Sequence, residues 1–497
     1  MTPGYPRVAG KQRAGARRAL TLGAAVAALS CAAAPAAAEP TPGAPGLGDP
    51  FFPLSGNGGY DVARYALDLA YRPRSGKLRA SAEITATATQ ELSAFDLDYR
   101  GPRITAVAVD GVPATFSRRG QELVITPPVA IPPGAVFGVR IAYAGRPHEI
   151  EDPDGSAEGW IATDDGAFVA DEPRGAPTWF PCNDYLTDKA SFAFRITVPR
   201  GTEAIANGAL VSRRRHGRDV TWTWRAREPM ATYLATATIG NFQLHRSHVG
   251  RLESVVAVDP RLARPSRSAL RRIPAIVRLF RSLYGPYPFG QVGALVDDAP
   301  EVGYALETQT RPIFSEAPDD VILAHELSHQ WFGNSVSLAS WPEMWLNEGF
   351  ATWSEWRWTQ AAGGISTARQ FARLNRLPAS RERVWSPPPA VISGPQELFA
   401  ESIYVRGAMA LEALRQRIGN DAFYTTLRSW AAEHRYSNVT TEQFIALAES
   451  VSGQQLDELF QSWLYEPGKP AAARARVASA QARRQPACRS CVSAQRR

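Results

Sequence analysis

Hydrophobic and polar residues alternate along much of the first half of the chain. Between residues 59 and 248 this two-residue period recurs in the runs YDVARYALDLAY, LRASAEITATATQ, FGVRIAYA and FAFRITV, and turn signals such as DGVPA and PPGA separate them. A two-residue period is typical of strands that bury one face of a sheet. The pattern therefore predicts an all-β domain over residues 59–248.

The periodicity becomes helical from about residue 250. Apolar residues recur three or four positions apart in SALRRIPAIVRLFRSLYG, DDVILAHELSHQWFG, SWPEMWLNEGFATWSEWRWTQAAGG and PQELFAESIYVRGAMALEALRQRIG, and GQVGALVDDA predicts one strand between them. We therefore expect a mainly helical second domain over residues 249–470. The predicted fold class is a multidomain α+β protein.

Two histidines four residues apart give the second domain its candidate chemistry. His325 and His329 of HELSHQWFGN lie on one face of the predicted helix, and Glu348 of WLNEGFA follows on the next helix. Two imidazoles and one carboxylate leave the fourth position of a tetrahedral zinc ion open for water, as in catalytic sites. Glu326 lies beside this predicted metal, where a carboxylate acts as a general base. A lone motif of this kind also occurs on ordinary helix surfaces, but the third ligand in a helical segment favours the metal.

Two further residues have a functional and an ordinary interpretation on spacing alone. Tyr404 follows Glu348 on a later helix and is a candidate hydrogen-bond donor for an oxyanion, or a core tyrosine. Glu307 precedes the first helix of the motif and is a candidate partner for a cationic group, or a surface acid.

Charge argues against a nucleic-acid partner. The net charge of +7 comes from the two ends, because residues 1–38 and 471–497 contain lysine and arginine and no acidic residue. The remaining chain is therefore mildly acidic. We expect residues 471–497 to form a basic disordered tail, and we interpret Cys488 and Cys491 within it as an incidental pair.

The N-terminus predicts export. A basic stretch precedes the apolar run ALTLGAAVAALSCAAA, and small residues suit cleavage after Ala38, so residues 1–38 are predicted to be a signal peptide. A membrane anchor is the alternative, but the run is short. Arg17 and Arg18 leave both twin-arginine and general export open. Residues 39–58, rich in proline and glycine, predict a flexible leader. We expect a secreted or cell-surface monomer without a stable membrane span.

The motifs together resemble the aminopeptidase N family of gluzincin zinc metallopeptidases. The similarity includes HELSHQWFGN with Glu348, and it extends to WFPCNDYLTDKASF, MATYLATATIGNF, FQSWLYEPGKP and the segment YVRG that begins at Tyr404. The resemblance implies a saddle-like β-domain before a thermolysin-like catalytic domain, with one zinc ion held by His325, His329 and Glu348. It also implies that Glu326 activates water and that Tyr404 stabilises the oxyanion.

The chain departs from the family pattern where substrates bind. The family's Gly-x-Met-Glu-Asn motif is YALET here, which keeps Glu307, the residue that holds the substrate's free α-amine in the family. A second amine contact, a glutamine in the family, is Ala170 here, with Asp171 and Glu172 beside it. The chain also ends about where the family's C-terminal helical domain begins, so we expect a shorter and more open form.

The expected activity is removal of N-terminal residues from peptides with a free N-terminus. Three alternatives remain open at this stage. They are a zinc endopeptidase on the same scaffold, a catalytically inactive peptide-binding homologue and, by family analogy alone, an epoxide hydrolase.

Overall fold

The structure, a computed structural model of the chain, describes residues 39–470. The predicted signal peptide and the predicted basic tail lie outside the described residues and stay predictions. None of the helices in residues 39–470 combines the length and the apolar character that crossing a bilayer requires.

An eight-stranded sheet forms the framework of the first half of the chain. Its strands, in spatial order, are Ala209–His216, Asp219–Met230, Ala190–Pro199, Tyr60–Arg72, Lys77–Ala88, Val136–Gly145, Arg103–Val109 and Val112–Pro113. The alternation seen in the sequence decides which face is buried. In Tyr60–Arg72, the side chains of Tyr65, Leu67 and Leu69 are buried and their neighbours are more exposed.

Two smaller sheets complete the β-rich part, as the sequence predicts. The four-stranded sheet has the order Thr41–Pro42, Leu92–Asp98, Glu122–Thr126 and Thr115–Arg119. The five-stranded sheet has the order Glu149–Glu151, Ala157–Ala162, Ala167–Ala170, Ala237–Gly240 and Glu203–Ala206. A β-rich first half is thus followed by a mainly helical second half.

A further five-stranded sheet lies in the second half, where the sequence predicts only one strand. Its order is Gln243–Val249, Leu252–Val258, Gln291–Val296, Ile313–Phe314 and Ala305–Leu306. The first two strands form a hairpin, and the predicted boundary at residues 248 and 249 falls inside it. The sequence analysis missed this hairpin because most of Gln243–Val249 is exposed and carries polar side chains that obscure the alternation.

Helices make up most of the remaining second half. They are Ala263–Leu270, Ile273–Tyr284, Asp320–Ser328, Trp345–Ala361, Thr367–Leu374, Glu382–Trp385, Glu401–Glu433, Thr441–Ser452 and Asp457–Phe460. We call Asp320–Ser328 the motif helix, Trp345–Ala361 the ligand helix and Glu401–Glu433 the tyrosine helix. The motif helix begins after Asp319, whose carboxylate accepts hydrogen bonds from the backbone N–H groups of Val321 and Ile322. The tyrosine helix is interrupted at Gly419, where φ is 84°.

The structure differs from the prediction of a flexible leader at residues 39–58. The strand Thr41–Pro42 pairs with Leu92–Asp98, and the buried side chain of Asn57 donates a hydrogen bond of 3.0 Å to Asp98. Proline and glycine disfavour regular secondary structure, but they do not prevent tertiary contacts. This segment is therefore an ordered part of the β-domain.

Two glycines bring the ligand helix and the tyrosine helix into close contact. A Cβ atom at Gly349 would lie 2.9 Å from the backbone carbonyl carbon of Gly407, and one at Gly407 would lie 3.0 Å from Cα of Gly349. Gly349 follows Glu348 in the chain, and Gly407 lies one helical turn after Tyr404. The contact therefore sets the separation of two candidate site residues.

Substituting Gly349→Ala should force these two helices apart. Overpacking of this kind lowers the free energy of unfolding by about 1–3 kcal/mol. We expect a lower melting temperature in calorimetry and reduced activity, because Glu348 moves with the helix. The control is Gly290→Ala, where the added Cβ would meet only a side-chain oxygen of Glu228 at 3.8 Å. Equal stability of the two variants would contradict the role of this contact.

Candidate active site

The two motif histidines converge on one carboxylate from the ligand helix. His325 Nε2 lies 3.0 Å from Glu348 Oε2, and His329 Nε2 lies 3.6 Å from the same oxygen. All three side chains are buried. The residues predicted to be metal ligands are therefore together in the structure.

The other ring nitrogens of the histidines have partners of their own. His325 Nδ1 lies 2.6 Å from Glu355 Oε1, and His329 Nδ1 lies 3.0 Å from the carbonyl oxygen of Phe332. With the proton on Nδ1, each ring donates to these oxygens and presents Nε2 as the free lone pair. Sequence reasoning missed Glu355, although its position seven residues after Glu348 places both on one face of the ligand helix.

This donor set fits zinc. One ligand atom each from His325, His329 and Glu348 lies within 4.8 Å of the others, which suits two nitrogens and one oxygen around a single ion. One ligand atom each from Glu307, Glu326 and His329 also lies within 4.8 Å of the others. That second group shares His329 with the first, so it belongs to the same site.

The imidazoles and the carboxylate of this set shift one another's pKa values. Burial alone would raise the pKa of Glu348, but the charge on His329 and the hydrogen bond from His325 hold that pKa at about 2. Burial alone would lower the pKa of His329, but Glu348 and Glu307 raise it to about 9. These opposite shifts follow from the close approach of the imidazoles to one buried carboxylate.

Glu326 is buried beside the ligands and faces the same cavity. Burial raises the pKa of its carboxyl to about 8, and the charges on His325 and His329 oppose that shift. It lies next to the ligand set without belonging to the group of His325, His329 and Glu348. This is the location that its predicted role requires.

The tyrosine helix presents Tyr404 to the cavity. Its ring stacks on that of His325, with centroids 6.1 Å apart and planes 23° from parallel. Arg406, two residues later, is fully buried and donates to the carbonyl oxygens of Trp463, Trp385, Ser462 and Glu466. These hydrogen bonds and the contact between Gly349 and Gly407 anchor the tyrosine helix, and they hold Tyr404 in place beside the cavity.

Glu307 lies on the cavity wall with its backbone and side chain both held. Its carbonyl oxygen accepts hydrogen bonds from Gln330 Nε2 at 3.1 Å and from Asn334 Nδ2 at 2.7 Å. Its carboxylate accepts a bond of 3.3 Å from the hydroxyl of Tyr233. The structure therefore places it in the site and not on the surface, which the sequence alone left open.

A second carboxylate, Glu172, lies on the same cavity wall. Its Oε1 is buried and has no hydrogen-bond partner in the protein. Burial raises the pKa of Glu172 well above its ordinary value, and repulsion from Glu307 and Glu348 adds to this. Asp171 instead accepts from the indole of Trp179, and Ala170 is buried in a strand away from the cavity. The sequence analysis placed the family's second amine contact at Ala170 and named Glu172 only as a neighbour, whereas the structure puts Glu172 on the cavity wall.

These residues line one cavity of about 500 Å³. Its lining also includes Tyr304 and Phe399. Acidic side chains and the two histidines are the only ionisable groups of the lining apart from the two tyrosines, and the cavity contains no lysine or arginine among the described residues. The cavity therefore favours cationic groups.

Comparison with known proteins identifies the family. Residues 62–234 match the peptidase M1 N-terminal domain, and residues 307–463 match the peptidase family M1 domain. The M1 zinc metallopeptidase of Deinococcus radiodurans has the same fold, with a TM-score of 0.79 and 28% identity over 86% of this chain and 98% of that one. The chain belongs to peptidase family M1.

Curated relatives of this M1 chain are longer. Aminopeptidase M1 of Arabidopsis thaliana is 29% identical over 60% of this chain and 36% of its own length. Leucyl aminopeptidase of Saccharolobus solfataricus is 24% identical over 82% of this chain and 54% of its own length. The chain thus spans between about a third and about half of these relatives, but nearly all of the two-domain bacterial structure.

In this M1 peptidase, Glu355→Gln should weaken zinc binding. The variant removes the charge that orients His325, and loss of such an outer partner costs about 10–100-fold in metal affinity. Competition with a fluorescent zinc chelator measures the affinity. Glu433→Gln, at an exposed glutamate on the tyrosine helix, is the control. Wild-type affinity in Glu355→Gln would show that the bond to His325 is dispensable.

Proposed function

We propose that the chain is a zinc-dependent aminopeptidase that acts on peptides with a free N-terminus. The observation that carries this proposal is the pair of buried carboxylates, Glu172 and Glu307, on the wall of the cavity that contains the zinc ligands. Zinc, when bound, lowers the pKa of its water and polarises the substrate carbonyl. The protein's own residues supply the remaining steps.

Glu326 moves the proton in this mechanism. Its carboxylate takes a proton from the attacking water and delivers it to the nitrogen of the departing peptide. The hydroxyl of Tyr404 donates a hydrogen bond to the oxygen that becomes negative when the carbonyl is attacked. Its stacking on His325 keeps this hydroxyl beside the ligands.

The two wall carboxylates, Glu172 and Glu307, select substrates by the free ammonium group at the peptide's N-terminus. An α-ammonium group paired with Glu172 and Glu307 makes charge-assisted hydrogen bonds in a site with little water. An internal peptide segment or a capped N-terminus offers no positive charge, so it would leave these carboxylates buried without a partner. This argument favours the aminopeptidase over an endopeptidase on the same scaffold.

The relatives agree with this assignment. An M1 zinc metallopeptidase variant of Deinococcus radiodurans, 28% identical with a TM-score of 0.77 over 84% of this chain and 97% of that one, was solved with a Tyr-Ser-Ala substrate. A short peptide belongs to the class of substrate that we propose here. Retention of the zinc ligands, Glu326 and Tyr404 disfavours an inactive peptide-binding homologue.

Substituting Glu326→Gln should separate metal binding from catalysis. The amide preserves the size of the side chain but cannot accept the water proton, so we expect zinc to remain bound while turnover falls by about 10²–10⁴-fold. Zinc content is measured by elemental analysis, and turnover with an aminoacyl fluorogenic substrate. Wild-type turnover in a zinc-loaded variant would refute Glu326 as the base.

Blocking the substrate amine tests the proposed specificity. We expect the wild type to cleave a free peptide and to leave its N-acetylated form intact. Glu307→Gln and Glu172→Gln should each lower kcat/KM for the free peptide by about 10–100-fold, because each removes one negative charge facing the substrate ammonium group. Glu433→Gln again serves as the control. Comparable cleavage of the acetylated peptide would instead identify an endopeptidase.

A further inference from the structure

The segment 49–52 contacts both domains close to the amine-binding wall. Asp49 Oδ1 accepts hydrogen bonds from the backbone N–H groups of Phe51 and Phe52, at 2.8 and 3.0 Å, which fixes a tight turn. Asp49 Oδ2 accepts from the hydroxyl of Tyr185 at 2.8 Å and from the backbone N–H of Trp341 at 3.4 Å. One carboxylate thus joins the leader, the β-domain and the segment before the ligand helix.

The ring of Phe52 lies between the side chains of Trp341 and Arg174. It meets the indole of Trp341 edge to face, with centroids 6.2 Å apart and planes at 88°. The guanidinium of Arg174 lies 4.5 Å from the centre of its ring. Phe52 is therefore packed on the catalytic side by an aromatic ring and on the β-domain side by a cation.

Trp341 connects Phe52 to one of the wall carboxylates, Glu307. Trp341 packs against Tyr233, with ring centroids 5.6 Å apart, and the hydroxyl of Tyr233 donates to Glu307 at 3.3 Å. Arg174 follows Glu172 by two residues, and its backbone N–H donates to Glu158 at 2.7 Å. One series of contacts therefore runs from Phe52 to Glu307, and Arg174 lies near Glu172 in the sequence only.

We propose that the segment 49–52 positions the amine subsite, with Phe52 acting through Trp341 and Tyr233 on Glu307. This inference rests on the proposed function, because it takes Glu307 as a partner of the substrate amine. Glu172 and Glu307 repel each other when both are charged, so packing must hold their separation against that repulsion. Phe52 touches neither substrate nor metal and is a positioning residue.

Two hydroxamates provide a test that isolates the amine. Leucine hydroxamate carries an α-amine, and 4-methylpentanohydroxamic acid is the same zinc-binding molecule without it. The inhibition constant of the amine-free compound, divided by that of leucine hydroxamate, measures how much the amine strengthens binding. We expect Phe52→Ala to reduce this ratio by about tenfold, within the range of coupling between contacting residues. The inhibition constant of the amine-free compound should stay unchanged, and Phe52→Leu should restore most of the ratio.

Two variants test whether the lower ratio in Phe52→Ala arises through Tyr233 and Glu307. Tyr233→Phe removes only the hydroxyl that bonds Glu307, and it should reduce the ratio as Phe52→Ala does. In a Glu307→Gln background, Phe52→Ala should reduce the ratio no further, because the group it positions is already gone. Phe95→Ala, at a buried aromatic of the β-domain that packs on Tyr60 and Phe137, is the control for lost stability.

Three results would overturn the proposal. They are an unchanged ratio in Tyr233→Phe or in Phe52→Ala, equal weakening of both hydroxamates, and an additive loss in the Glu307→Gln background. Failure of the proposed function looks different, because the wild type itself would then show no preference for the amine-bearing hydroxamate.

Discussion

Repulsion among buried carboxylates is the constraint on which this site depends. Glu172, Glu307, Glu326 and Glu348 are each no more than 9% exposed, and all line one cavity. Burial raises the pKa of Glu172 well above normal, and its acidic neighbours raise it further. The two imidazoles offset only part of this charge. A divalent cation bound by His325, His329 and Glu348 offsets more of this charge, and the ammonium group of the proposed substrate would offset a further part.

The scaffold holds these carboxylates in place from separate segments of the chain. Glu326 and Glu348 belong to two packed helices, whereas Glu172 and Glu307 lie on non-helical chain near strand ends. Arg311, four residues after Glu307, is fully buried and donates to the carbonyl oxygens of Val255, Ala206 and Gly208. Its guanidinium also lies 4.8 Å from the ring centre of Trp224 in the eight-stranded sheet. It therefore ties the wall that carries Glu307 to the β-domain.

The sequence predicts the zinc ligands and most of the fold because these depend on local patterns. The spacing of His325 and His329 requires only one helical turn, and the strands of the first half follow from alternation. The hairpin from Gln243 is local, but exposed polar side chains in its first strand obscure the alternation. The contact of Glu355 with His325 joins two helices, and the order of residues 39–58 depends on distant partners. Asp49, for example, bonds a residue 292 positions away. Composition alone gives no information about such a contact.

The side chain of Arg406, two residues after Tyr404, has a clear structural role. Its guanidinium reaches four carbonyl oxygens, from Trp385, Ser462, Trp463 and Glu466. A planar fork with five N–H donors suits acceptors spread over separate segments, whereas an ammonium group has three donors on one nitrogen. Burial lowers the pKa of Arg406 to about 10, so it stays charged near neutral pH. The arginine thus anchors the end of the described chain to the helix that carries Tyr404.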